Sequence, residues 1–152
     1  MTVCPAVIRR AVNADIPEIV GLLADDSLGA TRESLDDFAP YFAAFERIDS
    51  DPNQFLAVME RSHVIIGTLQ LTFLAGLSRR GATRAQIEAV RISSSERGGG
   101  LGKHFIAWAI EEARSRGCAL VQLTSDVSRT EAHRFYLNLG FEQTHAGFKY
   151  TL

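Results

Sequence analysis

Residues 88–103 read Glu88-Ala-Val-Arg-Ile-Ser-Ser-Ser-Glu-Arg97-Gly-Gly-Gly-Leu-Gly102-Lys103. Strand-like alternation ends at Ile92, glycines follow Arg97, and beyond Lys103 the residues Ile106, Ala109, Ile110 and Ala113 recur at helical spacing. A strand therefore passes through a glycine-rich loop straight into a helix. Glycine admits positive φ and lets a ligand approach backbone amides closely. The first-turn N–H groups of a helix lack intrahelical acceptors, and together with the positive end of the macrodipole they form an anion site. Arg97 and Lys103 add full charges, and a guanidinium can hold a phosphate through two bonds. The physical reading is a phosphate or pyrophosphate site. Two familiar phosphate loops fail here. A Walker A loop needs glycine at 97 and Ser or Thr at 104, where Arg97 and His104 stand. A dinucleotide fingerprint needs glycine at 103, where Lys103 stands. For a lone glycine cluster, a flexible loop beside an incidental basic residue is an equal alternative.

Upstream, Val7 to Ala11 reads as a short strand. Ile16, Ile19, Val20 and Leu23 then predict a helix capped at Asn13, with Pro17 in its first turn. A second helix is expected from Ser34, where Ser34-Leu-Asp-Asp37 resembles a capping box. Its stripe of Phe38, Tyr41, Phe42, Phe45 and Ile48 is in the first place a core face. Strands over Gln54 to Met59 and Val64 to Leu74 flank a turn at Glu60–His63. In a third strand, Ala85 to Ile92, strict alternation puts Ile87, Ala89 and Arg91 on one face and Glu88, Val90 and Ile92 on the other. Three strands in succession favour an antiparallel meander.

Downstream, a helix over Lys103 to Arg116 is stopped by Gly117, and Leu120 to Thr124 is a strand. Ser128-Arg-Thr-Glu131 has the form of a capping box for a helix carrying Ala132, Phe135, Tyr136 and Leu139 inward, with Gly140 behind it. Phe141 to His145 and Phe148 to Thr151 predict a closing hairpin around Ala146-Gly147. The expected fold class is α/β (α+β), with a mixed, mostly antiparallel sheet of about six or seven strands and about four helices.

The chain has 152 residues, 46% hydrophobic and 22% charged, which suits one domain over 1–152 with a real core. Sixteen Lys and Arg against eighteen Asp and Glu leave a net charge of −2, so no basic field exists to hold nucleic acid or an anionic membrane. Cys4 and Cys118 make no disulfide framework, and no apolar run approaches the roughly 20 residues of a spanning helix. The first fifteen residues lack the pattern of a secretory leader, so a cytoplasmic setting is expected.

Arg97-Gly-Gly-Gly100-Leu-Gly102 resembles the Arg/Gln-x-x-Gly-x-Gly/Ala acyl-CoA loop of the GCN5-related N-acetyltransferases, the GNAT family. Ala132-His-Arg-Phe135-Tyr136-Leu-Asn-Leu-Gly140-Phe141 is similar to that family's closing motif, Ala-x-x-Phe-Tyr-x-x-x-Gly-Phe. The order of predicted elements follows the family from Val7 to the C-terminus. The resemblance implies an acetyl-CoA-dependent N-acetyltransferase of the acyl-CoA N-acyltransferase fold. It places the pantetheine arm along Val90, Arg91 and Ile92, through the backbone of the first and last. It assigns the pyrophosphate to Arg97 and the amides of Gly98, Gly99, Gly100, Leu101, Gly102 and Lys103. Tyr136 stands where the family keeps the general acid for the departing thiolate, and Glu88 is the candidate general base, acting through water.

The implied reaction is direct transfer, in a ternary complex, to a primary amine of a small molecule, without a metal. Two readings rival it: acetylation of protein amines, and a non-catalytic acyl-CoA-binding module. Pairing into a homodimer is common in such relatives. Arg129 departs from the Asn that many relatives carry, with Ser125 as a candidate substitute. His133 and His145 lack metal-ligand spacing, Trp108 reads as helix packing, and Arg79-Arg80 reads as a solvated loop. Acceptor selectivity is expected from Phe38 to Phe45 and from the loop after Gly76.

Overall fold

The alternating stretches assemble into one sheet in the order β1-β2-β3-β4-β5, where β1 is Val7–Arg10, β2 Gln54–Arg61, β3 Val64–Leu74, β4 Arg84–Ile92 and β5 Leu120–Leu123. The computed structural model describes residues 5–152, so Cys4 lies outside the described residues. The helices are α1 (Ile16–Ala24), the short α2 (Gly29–Arg32), α3 (Ala39–Asp49), α5 (Leu101–Ser115) and α6 (Thr130–Asn138), while α4 (Ser78–Gly81) is a single turn whose Arg79, Arg80 and Gly81 are left-handed. Packing divides the chain into two compact units, Met1–Gln122 and Leu123–Leu152.

In the first unit β1 to β4 form the expected antiparallel meander. Ser62 and His63 close the β2–β3 hairpin with φ of 51° and 65°, the doubly left-handed turn that matches strand twist. After β4 the chain crosses through α5 and returns at β5, where the Ala119 N–H donates to the Thr83 C=O at 2.8 Å.

Each sheet face has its own helical cover. Val58 and Ile65 belong to a core with Ile16, Ile19 and Val20 of α1 and Phe45 of α3. On the opposite face Ala57, Met59, Leu69, Leu71 and Ile87 are buried with Phe105, Ile106, Ala109 and Ala113 of α5. Phe55, on that second face, meets Trp108 with ring centroids 5.3 Å apart, so Trp108 is a packing residue. Complete burial of a side chain such as Phe105 stabilises by about 1.5–3 kcal/mol.

A charged cluster ties β1 to the start of α1. Arg9 donates to both carboxylate oxygens of Asp15, at 2.7 and 3.0 Å, and to Glu60 at 2.7 Å. Asp15, not Asn13, satisfies the backbone there, accepting the Val12 N–H at 2.8 Å. The hydrogen bonds from Arg9 hold the Asp15 carboxyl below its ordinary range against the opposing effect of burial. A depressed carboxyl contributes stability that is present above its unfolded pKa and is lost as pH falls through the folded one. Asp15→Asn is therefore expected to destabilise by about 2 kcal/mol at neutral pH, and by progressively less in acid. Denaturant titrations of both proteins at pH 7 and near pH 3 check this; an equal gap at both would remove the ionic part.

Three expectations are corrected. The second helix starts at Ala39 rather than near Ser34. Pro40 has no N–H, so a helix running through it from Ser34 would lose the bond to the Asp36 carbonyl. Ser34 Oγ instead accepts the N–H groups of Asp36 and Asp37 in a local turn. The Ser128 capping box also fails to form, because the Ser128 hydroxyl donates to Asp126 at 2.6 Å and Arg129 takes the N-cap position. Finally, residues 141–152 form no strand, leaving five strands among the described residues. Gly147 lacks the positive φ that a tight two-residue hairpin turn at this position requires, and Phe148 and Tyr150 stand exposed.

Candidate active site

The middle of β4 does not keep its two-residue period. Thr68 pairs with Arg91 and Gln70 with Glu88, so Leu69 alone faces both Ala89 and Val90. Ala89 takes φ 52°, the left-handed conformation at the first position of a G1-type bulge. Opposed residues share a sheet face, so the extra residue brings Arg91 onto the face of Glu88 and returns Ile92 to that of Ile87. Simple alternation had placed Ile92 with Glu88 and Arg91 with Ile87, and the bulge overturns both placements.

Beyond the bulge, Ser93 N–H donates to the Ile66 C=O at 2.8 Å, which turns the polar backbone of Ile92 away from β3. Arginines meet the carbonyls here: Arg91 donates to Val90 O at 2.9 Å and Arg97 to Ile92 O at 3.2 Å. The Arg91 side chain is further held by an ion pair with Asp26 at 3.3 Å, and both groups are largely buried.

The loop that follows is anchored on one side and open on the other. Glu96 pairs with Arg61 of the β2–β3 hairpin at 2.7 Å. Gly98 and Gly100 adopt φ of 83° and 78°, and Gly100 is the N-cap of α5 without a side-chain cap. A Cβ at either glycine would meet nothing within 4 Å, so conformation rather than crowding requires glycine there. His104 N–H makes the helical bond to Gly100 O at 3.1 Å, and the glycine N-cap gives the first-turn amides no side-chain cap. Arg97 and Lys103 are exposed beside these amides.

Glu88 stands exposed on the sheet face, where Gln86 Nε2 donates to its Oε1 at 2.7 Å. Gln122 Nε2 donates to Gln86 Oε1 at 3.0 Å, and Arg84 donates to Gln122 Oε1 at 3.3 Å. On the same face Gln70 and Thr72 both donate to Gln54 Oε1 at 2.9 Å. Gln54 and Gln70 line a surface cavity of about 260 Å³ with Ala44, Arg47, Ile48 and Asp51 of α3 and its C-terminal loop. Phe38, Tyr41 and Phe42 pack against the core containing Phe45, so the aromatic stripe is core and the neighbouring edge of α3 meets this cavity. The sequence reading missed this polar row. Its signal was the two-residue spacing of Gln70 with Thr72 and Gln86 with Glu88 inside strands that are otherwise buried.

In the second unit Tyr136 is half-buried on α6 and held by the end of that helix. Gly140, at φ 95°, donates its N–H to Leu137 O at 3.0 Å, while Phe141 N–H donates to Tyr136 O at 3.1 Å. These are the two bonds of a Schellman stop, and the accompanying contact is Phe141 against the Tyr136 ring, 5.8 Å between centroids. Phe135 flanks the same ring at 5.2 Å. The spacing of Tyr136, Gly140 and Phe141 is thus a helix terminator that fixes one aromatic ring. His133 Nε2 donates to the Asp126 C=O, 2.8 Å away, a local packing role. Among the described residues no group of three or more His, Cys, Asp or Glu could hold a metal.

Residues 19–141 match the family described as the Acetyltransferase (GNAT) family. The chain belongs to the GNAT family. It is a GNAT N-acetyltransferase, and the family uses acetyl-CoA. The chain is 28% identical over 148 residues to aminoalkylphosphonate N-acetyltransferase of Salmonella typhimurium, covering 97% of this chain and 91% of that one. A structure described as a transcriptional regulator from Bacillus halodurans C-125 is 43% identical, with a TM-score of 0.94 over 97% of this chain and 100% of the other. A putative acetyltransferase from Agrobacterium tumefaciens is 25% identical, with a TM-score of 0.85 over 96% and 99%.

Proposed function

We propose that this chain transfers the acetyl group of acetyl-CoA directly to a primary amine of a small molecule. The observation that carries the reading is the loop after β4, whose glycine N-cap gives the first-turn amides of α5 no side-chain cap, beside Arg97 and Lys103. Those amides suit a diphosphate, since hydrogen bonds to a charged group contribute about 1.5–3 kcal/mol each. Backbone polar groups of Val90 and Ile92 are the candidate partners of the pantetheine amides, with the arginines now on their carbonyls giving way. Glu88 removes a proton from the amine and Tyr136 supplies one to the thiolate. The whole of residues 1–152 acts as one GNAT domain in this reading.

One observation favours a small acceptor. The Salmonella relative is named for a small aminoalkyl compound. Against a nucleic-acid partner stands the net charge of −2.

The test is release of free CoA thiol across a panel of aminoalkylphosphonates, amino acids, amino sugars and lysine peptides. Turnover with one or more small amines and none with peptides is expected. Peptide turnover alone would replace the acceptor class, and CoA uptake by calorimetry without turnover on any amine would favour the binding module.

A further inference from the structure

The side chains Arg84, Gln122, Gln86 and Glu88 lie in series, joined at 3.3, 3.0 and 2.7 Å, and all four belong to the first unit. The ends of the series differ in kind. A guanidinium only donates hydrogen bonds, and an ionised carboxylate only accepts them. Each glutamine between them has one amide orientation that satisfies both neighbours. Turning Gln122 over would set its NH2 against the Arg84 N–H groups, and turning Gln86 over would set oxygen against the Glu88 carboxylate. The direction of donation is therefore fixed from both ends, from Arg84 toward Glu88.

We infer that Arg84, Gln122 and Gln86 are positioning residues that hold Glu88 for proton removal from the amine. The inference rests on the reading of Glu88 as the base. Glu88 is exposed on an open strand face, where a long carboxylate side chain would otherwise sample several rotamers. The Gln86 amide holds Oε1, which leaves Oε2 to face the amine or an intervening water. Gln86 is itself half-buried on the strand next to its partner Gln122, so the support comes from regular structure rather than from a loop. None of the three needs to touch the acceptor for this effect. What they supply is a carboxylate already aimed when the amine arrives.

The experiment is a double-mutant cycle on kcat, with acceptor KM, CoA affinity and thermal midpoint recorded for every variant. Arg84→Met and Gln86→Leu are each expected to lower kcat about tenfold, with CoA affinity and thermal midpoint near the parent's. Arg84→Lys, which keeps a donor-only group, is expected to recover most of the loss. In the Glu88→Gln background Arg84→Met should add almost nothing, because the residue it acts through is gone. The same tenfold loss in that background would overturn the proposal, as would parental kcat for Arg84→Met beside an impaired Glu88→Gln, which leaves the base reading standing. Parental kcat for Glu88→Gln would remove the base reading and the proposal together. Should Arg84→Met not fold, Gln122→Met interrupts the series one step further along and is subject to the same criteria.

Discussion

Tyr136→Phe is expected to lower kcat by about 10²- to 10⁴-fold while leaving CoA affinity nearly unchanged. The substitution is a clean one in this setting. Phenylalanine retains the ring that packs against Phe135 and Phe141, and the helix stop is made by backbone groups of Tyr136, Leu137, Gly140 and Phe141. Only the hydroxyl is removed. A thiolate leaving group, with an ordinary thiol pKa of about 8.5, gains from a proton delivered as the C–S bond breaks. A phenolic hydroxyl is a hydrogen-bond donor and can deliver it. Single-turnover thiol release with saturating acetyl-CoA reads this step apart from binding. Unchanged turnover would strip Tyr136 of the acid role and leave it a core aromatic on α6.

Glu88→Gln is expected to lower kcat at neutral pH by about 10²-fold, and the deficit should shrink as pH rises toward 10. The reason lies in the acceptor. A lysine-like amine has a pKa of about 10.4, so at pH 7 about one molecule in 2,500 is neutral and able to attack. A carboxylate that takes the proton within the complex overcomes that scarcity. Raising the pH supplies neutral amine without it. The Tyr136→Phe deficit has no such dependence on the amine, so pH–rate profiles of the two variants separate the roles. A Glu88→Gln deficit that stays constant from pH 7 to 10 would point to a contact with the acceptor instead of proton removal.

Much of this arrangement was readable in advance, and the failures have physical causes. The meander, the α5 helix with its stop at Gly117 and the short β5 followed from periodicity and punctuation alone. The glycine loop was legible because positive φ at Gly98 and Gly100 is a backbone demand that few residue types meet. The bulge was not legible, since the residue at φ 52° is alanine, which carries no sign of a left-handed position. Everything inferred by counting in twos past Ala89 was therefore shifted by one. The Ser34 and Ser128 capping boxes failed for a related reason: the pattern records residues able to cap, while Pro40 and Asp126 decide whether they do. Glu88 was picked from its place in the strand, yet its three supports come from β4 and β5, which the sequence separates by a whole helix.

On the proposed reading, the arginines on the Val90 and Ile92 carbonyls bear on how quickly the enzyme can load and unload. An incoming amide that takes either acceptor has no strand to peel away and no dry, orphaned oxygen to fill. At Ile92 it trades places with the exposed Arg97, which swings aside and stays hydrated, whereas Arg91 is largely buried and must leave its ion pair with Asp26 to give way. On the proposed reading the swap at Arg97 is close to even in hydrogen bonds, and the diphosphate supplies the grip. On the same reading spent CoA departs by the reverse swap, with the tail of Arg97 closing behind it.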